Sequence, residues 1–133
     1  MKIRQANYKD VSKLSEIFDA YRQFYGQTSD VAGAMRFLQD RMEHGQSVIF
    51  LAEDSKSEEI AGFTQLYPVF SSISMQRSYL LNDLFVKKEF RKQGIAKQLI
   101  TEAKSLQTIR KVWNFPLLHT TKKPVLCMQK KLS

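Results

Sequence analysis

Residues 79–106, YLLNDLFVKKEFRKQGIAKQLITEAKSL, limit what this chain can fold into more than any other stretch does. Leu80, Leu81, Leu84, Phe85 and Val86 make an apolar run short enough to be one buried strand. A charged turn occupies residues 87–92. Apolar residues then recur at Ile95, Leu99, Ile100, Ala103 and Leu106, the spacing of one helical face. A strand, a basic turn containing glycine and a helix, in that order, make a seat for an anion such as phosphate. The first turn of the helix offers unpaired N–H groups and about half a positive charge. Gly94 lets the backbone come close to that anion, and Ala96 keeps the next position small.

Within this stretch, Arg91-Lys92-Gln93-Gly94-Ile95-Ala96 matches the acetyl-CoA signature Arg/Gln-x-x-Gly-x-Gly/Ala. By that match the chain resembles the GNAT superfamily of N-acetyltransferases. The signature stands one short turn after a strand, as it does in the family. The preceding LNDLFVKKEF looks like the family's fourth strand and its turn, the diamine and polyamine acetyltransferases in particular. An ordinary strand–helix corner with a surface RKQG turn is the bland alternative. The resemblance implies an α/β (α+β) fold with a mixed, mostly antiparallel sheet flanked by helices. The implied order is β-α-α-β-β-β-α-β, with the C-terminal helix and strands altered or missing.

At 133 residues and 43% hydrophobic, the chain is expected to be one domain around one core. Residues 1–105 form the family-like part and 106–133 an atypical basic tail. The one cysteine, Cys127, excludes an internal disulfide framework and suits a reducing cytoplasm. No apolar run approaches the ~20 residues needed to span a bilayer, and the opening MKIRQANYKD lacks a signal peptide's apolar core. A soluble cytoplasmic protein without membrane contact is expected. The net charge is +8, yet residues 1–103 hold 14 Lys/Arg against 13 Asp/Glu. From Lys104 onward there are seven Lys/Arg and no acid. A basic tail can mark a nucleic-acid binder. Here only Trp113 and Phe115 interleave the charge, which lies outside the folded pattern, so nucleic acid is not an expected partner. Two histidines and one cysteine show no ligand spacing, so no metal is expected.

Taken in order, residues 2–6 alternate apolar and polar and read as a first strand. Asp10 is placed to cap the helix that follows. Val11, Leu14, Phe18, Tyr21 and Tyr25 share one face of it, Ile17 and Phe24 widen that face, and Gly26 stops it. The rings of Tyr21, Phe24 and Tyr25 are read as core rather than as a substrate cage. A second helix starts at Ser29 or Asp30, carries the stripe Val31, Ala34, Met35, Leu38 and Met42, and stops at Gly45; His44 marks its end. Residues 47–52 and 60–70 read as a hairpin of strands, with Gly62 marking a bulge. Residues 71–76 form a loop, and 77–86 return as the fourth strand of an antiparallel meander.

After Leu106 the pattern weakens. Residues 111–118 suit a fifth strand whose end Pro116 demotes. The family's Asn-x-x-Ala-x-x-Leu-Tyr-x-Lys-x-Gly-Phe helix is absent, and no tyrosine follows Tyr79. Synonymous codons for residues 112–133, read from the third nucleotide of the Val112 codon, permit Met-Glu-Phe-Pro-Thr-Ala-Ala-His-Asn-Lys-Lys-Ala-Cys-Ser-Leu-Tyr-Ala-Lys-Lys-Ala-Phe. That string contains the missing pattern as far as its lysine. The chain from about Ser105 onward therefore reads as a frame-shifted acetyltransferase end, with a divergent basic tail as the alternative; sequencing the gene decides. A tail strand left unpaired is also available for exchange between two chains, so a homodimer is allowed.

The resemblance further implies transfer of acetyl from acetyl-CoA to a primary amine by direct attack. Backbone N–H groups of Gln93, Gly94, Ile95, Ala96 and Lys97 would hold the pyrophosphate, with Arg91 and Lys92 adding charge. The main chain of Leu84, Phe85 and Val86 would bind the pantetheine arm, and an N–H near Phe85 would face the thioester oxygen. Asp83 is the candidate for binding the cationic acceptor or relaying its proton, where polyamine members tend to have Glu-Asp and this chain has Asn82-Asp83. A strand-end Asp satisfied by backbone donors is the other reading of it. The family's general-acid tyrosine belongs to the missing helix, and neither His119 nor Cys127 is taken as its replacement. An acyl-CoA-binding domain with little catalysis is the alternative function.

Overall fold

A computed structural model describes residues 1–106 and, beyond them, the backbone of four short strands. In chain order come β1 (Lys2–Gln5), α1 (Val11–Phe24), α2 (Val31–Glu43), β2 (Val48–Glu53), β3 (Ile60–Ser71), β4 (Gln76–Val86) and α3 (Ile95–Ser105). Strands β5 (Trp113–Asn114), β6 (Leu117–Thr120), β7 (Lys123–Leu126) and β8 (Gln129–Lys130) follow, β5 pairing with β8 and β6 with β7. The fifth strand expected over residues 111–118 overlaps β5 and β6. The frame-shift reading concerns side chains outside the described residues, and the described tail strands pair with one another rather than standing unpaired.

The main sheet runs β1-β2-β3-β4, every neighbour antiparallel. The period-2 alternation of β2 divides the protein into two cores. Ile49 and Leu51 face α1 and α2, where Leu14, Ile17, Phe18, Ala34 and Leu38 are buried with Phe63 of β3. Phe50 and Ala52 face the other way, onto Leu66, Leu81 and the Ile95, Leu99 and Ala103 stripe of α3. Each large apolar side chain so buried contributes roughly 1.5–3 kcal/mol. Helices thus cover both faces of an antiparallel sheet, as the resemblance implied.

The β3–β4 register breaks once. Leu66 pairs with Leu81 and Gln65 with Asp83, leaving Asn82 as an extra residue on β4. Before this bulge Leu81 points to the α3 core; after it Leu84 and Val86 do. Asp83 and Phe85 are turned to the α1 face instead. The bulge marked by Gly62 is found beside it: Ala52 pairs with Gly62 and Glu53 with Ile60, so Ala61 is the extra residue.

Local signals held in part. Asp30 caps α2 by accepting from the Gly33 N–H at 2.9 Å, and His44 closes that helix with Nδ1 2.7 Å from the Asp40 carbonyl oxygen. Asp10 does not cap α1 with its side chain. Its carboxylate accepts two bonds from Arg4, at 2.7 and 2.8 Å, and one from the Asn7 N–H. A paired guanidinium outcompetes a single helix N–H because both partners are charged.

Candidate functional site

The turn after β4 ends in an open helix terminus. Gly94, the residue before α3, has φ 77 and ψ 13, left-handed geometry that suits glycine. No side chain caps this end. The first intrahelical donor is the Gln98 N–H, 3.1 Å from the Gly94 carbonyl oxygen, so the amides of Ile95, Ala96 and Lys97 precede it unpaired by the helix. A Cβ built on Gly94 meets nothing within 4 Å. Arg91, Lys92, Gln93 and Lys97 are exposed around it. The corner therefore has the uncovered amides, the positive end of a helix dipole and the cations that an anionic group needs.

A cleft of about 330 Å³ runs from this corner along β4. Leu84, Phe85, Val86, Arg91, Lys92, Gly94, Ile95 and Ala96 line it, so eight of the residues singled out from the sequence come together here. Gln93 and Lys97 stand outside the lining. The cleft follows β4, which ends the hydrogen-bonded order of the main sheet. Arg91 braces the corner: its Nε donates to the Val86 carbonyl oxygen at 2.9 Å, and its guanidinium lies 5.8 Å from the Phe24 ring and 5.7 Å from the Phe85 ring. The Val86 carbonyl is thereby engaged by the protein itself.

Phe24 and Tyr25 form the opposite wall. Reading them as core is corrected: Phe24 is 64% exposed. They sit at the C-terminal end of α1, where Tyr25 is half-buried and Phe24 stands out among the described residues. Tyr21, one turn earlier, is half-buried, packed edge-on against Phe63, Phe85 and Tyr25.

Asp83 lies behind Tyr21. Its carboxylate is 6% exposed and accepts from the Tyr21 hydroxyl at 2.8 Å, the Gln65 amide at 2.8 Å and the Asn82 amide at 3.0 Å. The Tyr67 hydroxyl faces it as a further donor. Burial pushes its pKa above the ordinary carboxylate value, while these donors pull it down. Burial, then the Asp83 charge, pushes Tyr21 and Tyr67 well above the ordinary phenol range, so both stay protonated. Backbone donors do not satisfy Asp83; side chains from α1, β3 and β4 do. A second cleft, about 400 Å³, opens between α1 and α2 with Asp83, Tyr21, Phe18 and Phe37 on its walls. A buried carboxylate beside aromatic faces suits a cation.

Gln65 and Tyr67 escaped the sequence reading, and Tyr21 entered it only as a core ring. Tyr21 lies 62 positions from Asp83, and a tyrosine on an apolar helical face carries no sign that its hydroxyl meets a carboxylate. Among the described residues no group of three or more His, Cys, Asp or Glu could hold a metal ion. Nor is any described helix long and apolar enough to cross a membrane.

Comparison with known proteins decides the family. Residues 45–126 match the acetyltransferase (GNAT) domain. The chain belongs to the GNAT acetyltransferase family. A Bacillus subtilis (strain 168) relative, "Uncharacterized N-acetyltransferase YhfO", is 49% identical over 104 residues, 78% of this chain and 68% of that protein. A crystal structure of a "probable acetyltransferase" superposes with a TM-score of 0.76 at 40% identity, covering 80% of this chain and 70% of that one. A predicted acetyltransferase of Clostridium acetobutylicum, crystallised with acetyl-CoA, shares the fold with a TM-score of 0.70 at 16% identity, over 90% of this chain and 81% of that one. The chain is accordingly an acetyltransferase of GNAT type.

Proposed function

We propose that this GNAT enzyme moves an acetyl group from acetyl-CoA to a primary amine. The observation that carries the reading is the uncapped start of α3 at Gly94, opening on a cleft lined by Leu84, Phe85 and Val86 of β4. The chain's own groups fit the cofactor. Amides at 95–97, with Arg91, Lys92, Gln93 and Lys97, hold its pyrophosphate, and nothing fills the space before Gly94. Main-chain groups of Leu84 and Phe85 bind the pantetheine arm, and an N–H near Phe85 faces the thioester oxygen. The Val86 carbonyl, held by Arg91, is the weakest member of that set. Bound there, acetyl-CoA supplies the acetyl thioester.

The acceptor enters from the second cleft. Asp83 gives that cleft a buried negative charge, and Phe18, Tyr21 and Phe37 surround an ammonium with ring faces. Only the neutral amine attacks, so Asp83 serves first to attract the cation and then to receive its proton. Asp30, on the same cleft, adds a second carboxylate, which favours a diamine or polyamine over a simple alkylamine.

Calorimetric titration with acetyl-CoA tests the cofactor half, comparing wild type with Gly94→Asp. The variant places a side chain at a left-handed φ and a negative charge at the phosphate seat, and should lose most of the affinity; equal binding would remove the assignment. Thiol release from acetyl-CoA with a panel of primary amines tests the acceptor half. Binding without release on any amine would favour the second reading, an acyl-CoA-binding domain, which draws its support from the missing tyrosine pattern after Tyr79.

A further inference from the structure

We infer that Tyr21, rather than Asp83 itself, is the group that takes the acceptor's proton, passing its own phenolic proton to Asp83. The inference rests on the amine-acetyltransferase reading above and gives a chemical role to a residue that the sequence reading took as core. An ionised carboxylate has about four lone-pair sites. Here Tyr21 and Asn82 donate to Oδ1, Gln65 donates to Oδ2, and the Tyr67 hydroxyl faces the same group. Asp83 reaches the wall of the α1–α2 cleft, but only 6% of it is exposed and its lone-pair sites already face donors, so an ammonium finds no free lone pair on it. Bringing a new proton onto the carboxylate directly would displace a donor. Moving the proton already in the Tyr21 hydrogen bond displaces none.

Tyr21 is built for that position. Its hydroxyl hydrogen points at Asp83, which leaves the oxygen lone pairs for a donor in the cleft. Its ring is fixed edge-on by Phe63 at 5.6 Å, Phe85 at 5.7 Å and Tyr25 at 5.0 Å. Phe85 and Tyr25 line the cleft along β4, whereas Tyr21 lines the cleft between α1 and α2. The phenol therefore stands in the wall that separates the two, where acceptor and acetyl group must meet.

The step balances. An N–H bond of the ammonium breaks as its proton bonds the Tyr21 oxygen, and the Tyr21 O–H breaks as that proton bonds Asp83 Oδ1. One unit of positive and one of negative charge cancel, and Tyr21 is neutral before and after. The amine lone pair then bonds the acetyl carbon, the carbon–sulfur pair leaves on sulfur, and a second N–H bond breaks as its proton passes to that thiolate, giving the neutral amide and the free thiol. Asp83 returns its proton to solvent through the same phenol. The other charged or titratable groups around the pair are Tyr25 on α1, Tyr67 on β3, Arg22 and Asp30 on the cleft wall, and Arg41 of α2 near Tyr67.

Tyr21→Phe tests the inference, since it keeps every ring contact and removes only the hydroxyl. Thiol release is followed against pH with putrescine, phenethylamine, a lysine ester and a peptide with a free N-terminus, the fastest carrying the comparison. The expected result is a kcat loss of about 100-fold with KM little changed. A solvent-deuterium proton inventory should be bowed in wild type, with two protons in flight, and linear in the variant. In the ligand-free protein, carbon-13 titration of the Asp83 carboxyl should move to higher pH in the variant, because a donor to its charged form is lost. An active wild type with an unchanged variant profile, or an unmoved Asp83 titration, overturns the relay and leaves the acetyltransferase reading standing. A wild type inactive on every amine overturns both.

Discussion

Gln65 shows how one side chain can set the chemistry of another. It is fully buried; its amide nitrogen donates to Asp83, and its amide oxygen has no partner. Turning the amide over would set oxygen against carboxylate, so the negative charge of Asp83 holds Gln65 in the orientation that leaves its oxygen unsatisfied. Gln65→Leu therefore removes a donor that favours ionised Asp83. The acid limb of the pH–rate profile should move to higher pH in that variant, a shift readable by thiol release from pH 5 upward. An unmoved limb would mean that Asp83 does not control the rate.

Elements are joined here by a few polar anchors. Asp19, on α1 and 3% exposed, accepts from the Asp30 N–H and the Ser29 hydroxyl, both at 2.7 Å, and from Gln23 at 2.9 Å. It fastens the α1–α2 connection, whose Asp30 lines the cleft between the two helices. Asp19→Ala leaves those donors unpaired and should cost about 2 kcal/mol, measurable by urea denaturation. On the opposite side of the site, β3 and β4 touch at Gly62, where an added Cβ would lie 2.9 Å from the Phe85 carbonyl oxygen. Gly62→Ala must push the strands apart where the thioester is expected to lie. Loss of roughly 1–3 kcal/mol of stability, together with weaker acetyl-CoA binding in calorimetry, is the expected pair of effects.

For the molecule as a whole, the response to acid follows from carboxylates with shifted pKa, Asp10 and Asp19 foremost. The Arg4 guanidinium holds Asp10, and the Asp30 N–H followed by the Ser29 hydroxyl holds Asp19, below the ordinary carboxylate range. A depressed folded pKa contributes stability above the unfolded value near 3.9, and that stability disappears as pH falls through the folded value. Asp83 has the opposite sign, its raised pKa favouring the fold at low pH. Asp54, held down by the Ser57 hydroxyl, adds a third depressed carboxylate; three against one raised group predict that thermal unfolding midpoints fall below about pH 4, and that Asp19→Asn flattens the fall. At neutral pH, acetyl-CoA at a hundredfold over its Kd should add about 2.7 kcal/mol of stability. Thermal shift would show this in wild type and not in Gly94→Asp.

Much of this was legible because local patterns carried it. The 3.6-residue stripe of Ile95, Leu99 and Ala103 and the glycine before it need no distant partner to define α3 and its open end. The hairpin β2–β3 and the cap at Asp30 likewise depend on neighbours in the chain. What only the tertiary structure decided is where side chains meet across long separations. The β4 bulge at Asn82 reverses the parity of the strand and turns Asp83 toward α1, which alternation alone would have assigned to Leu81's face. The same reversal pairs Asp83 with Tyr21, and packing sets Phe24 and Tyr25 on the wall of a cleft instead of in the core. Sequence spacing records which face a residue takes within its own element; packing alone determines which group from another element waits there.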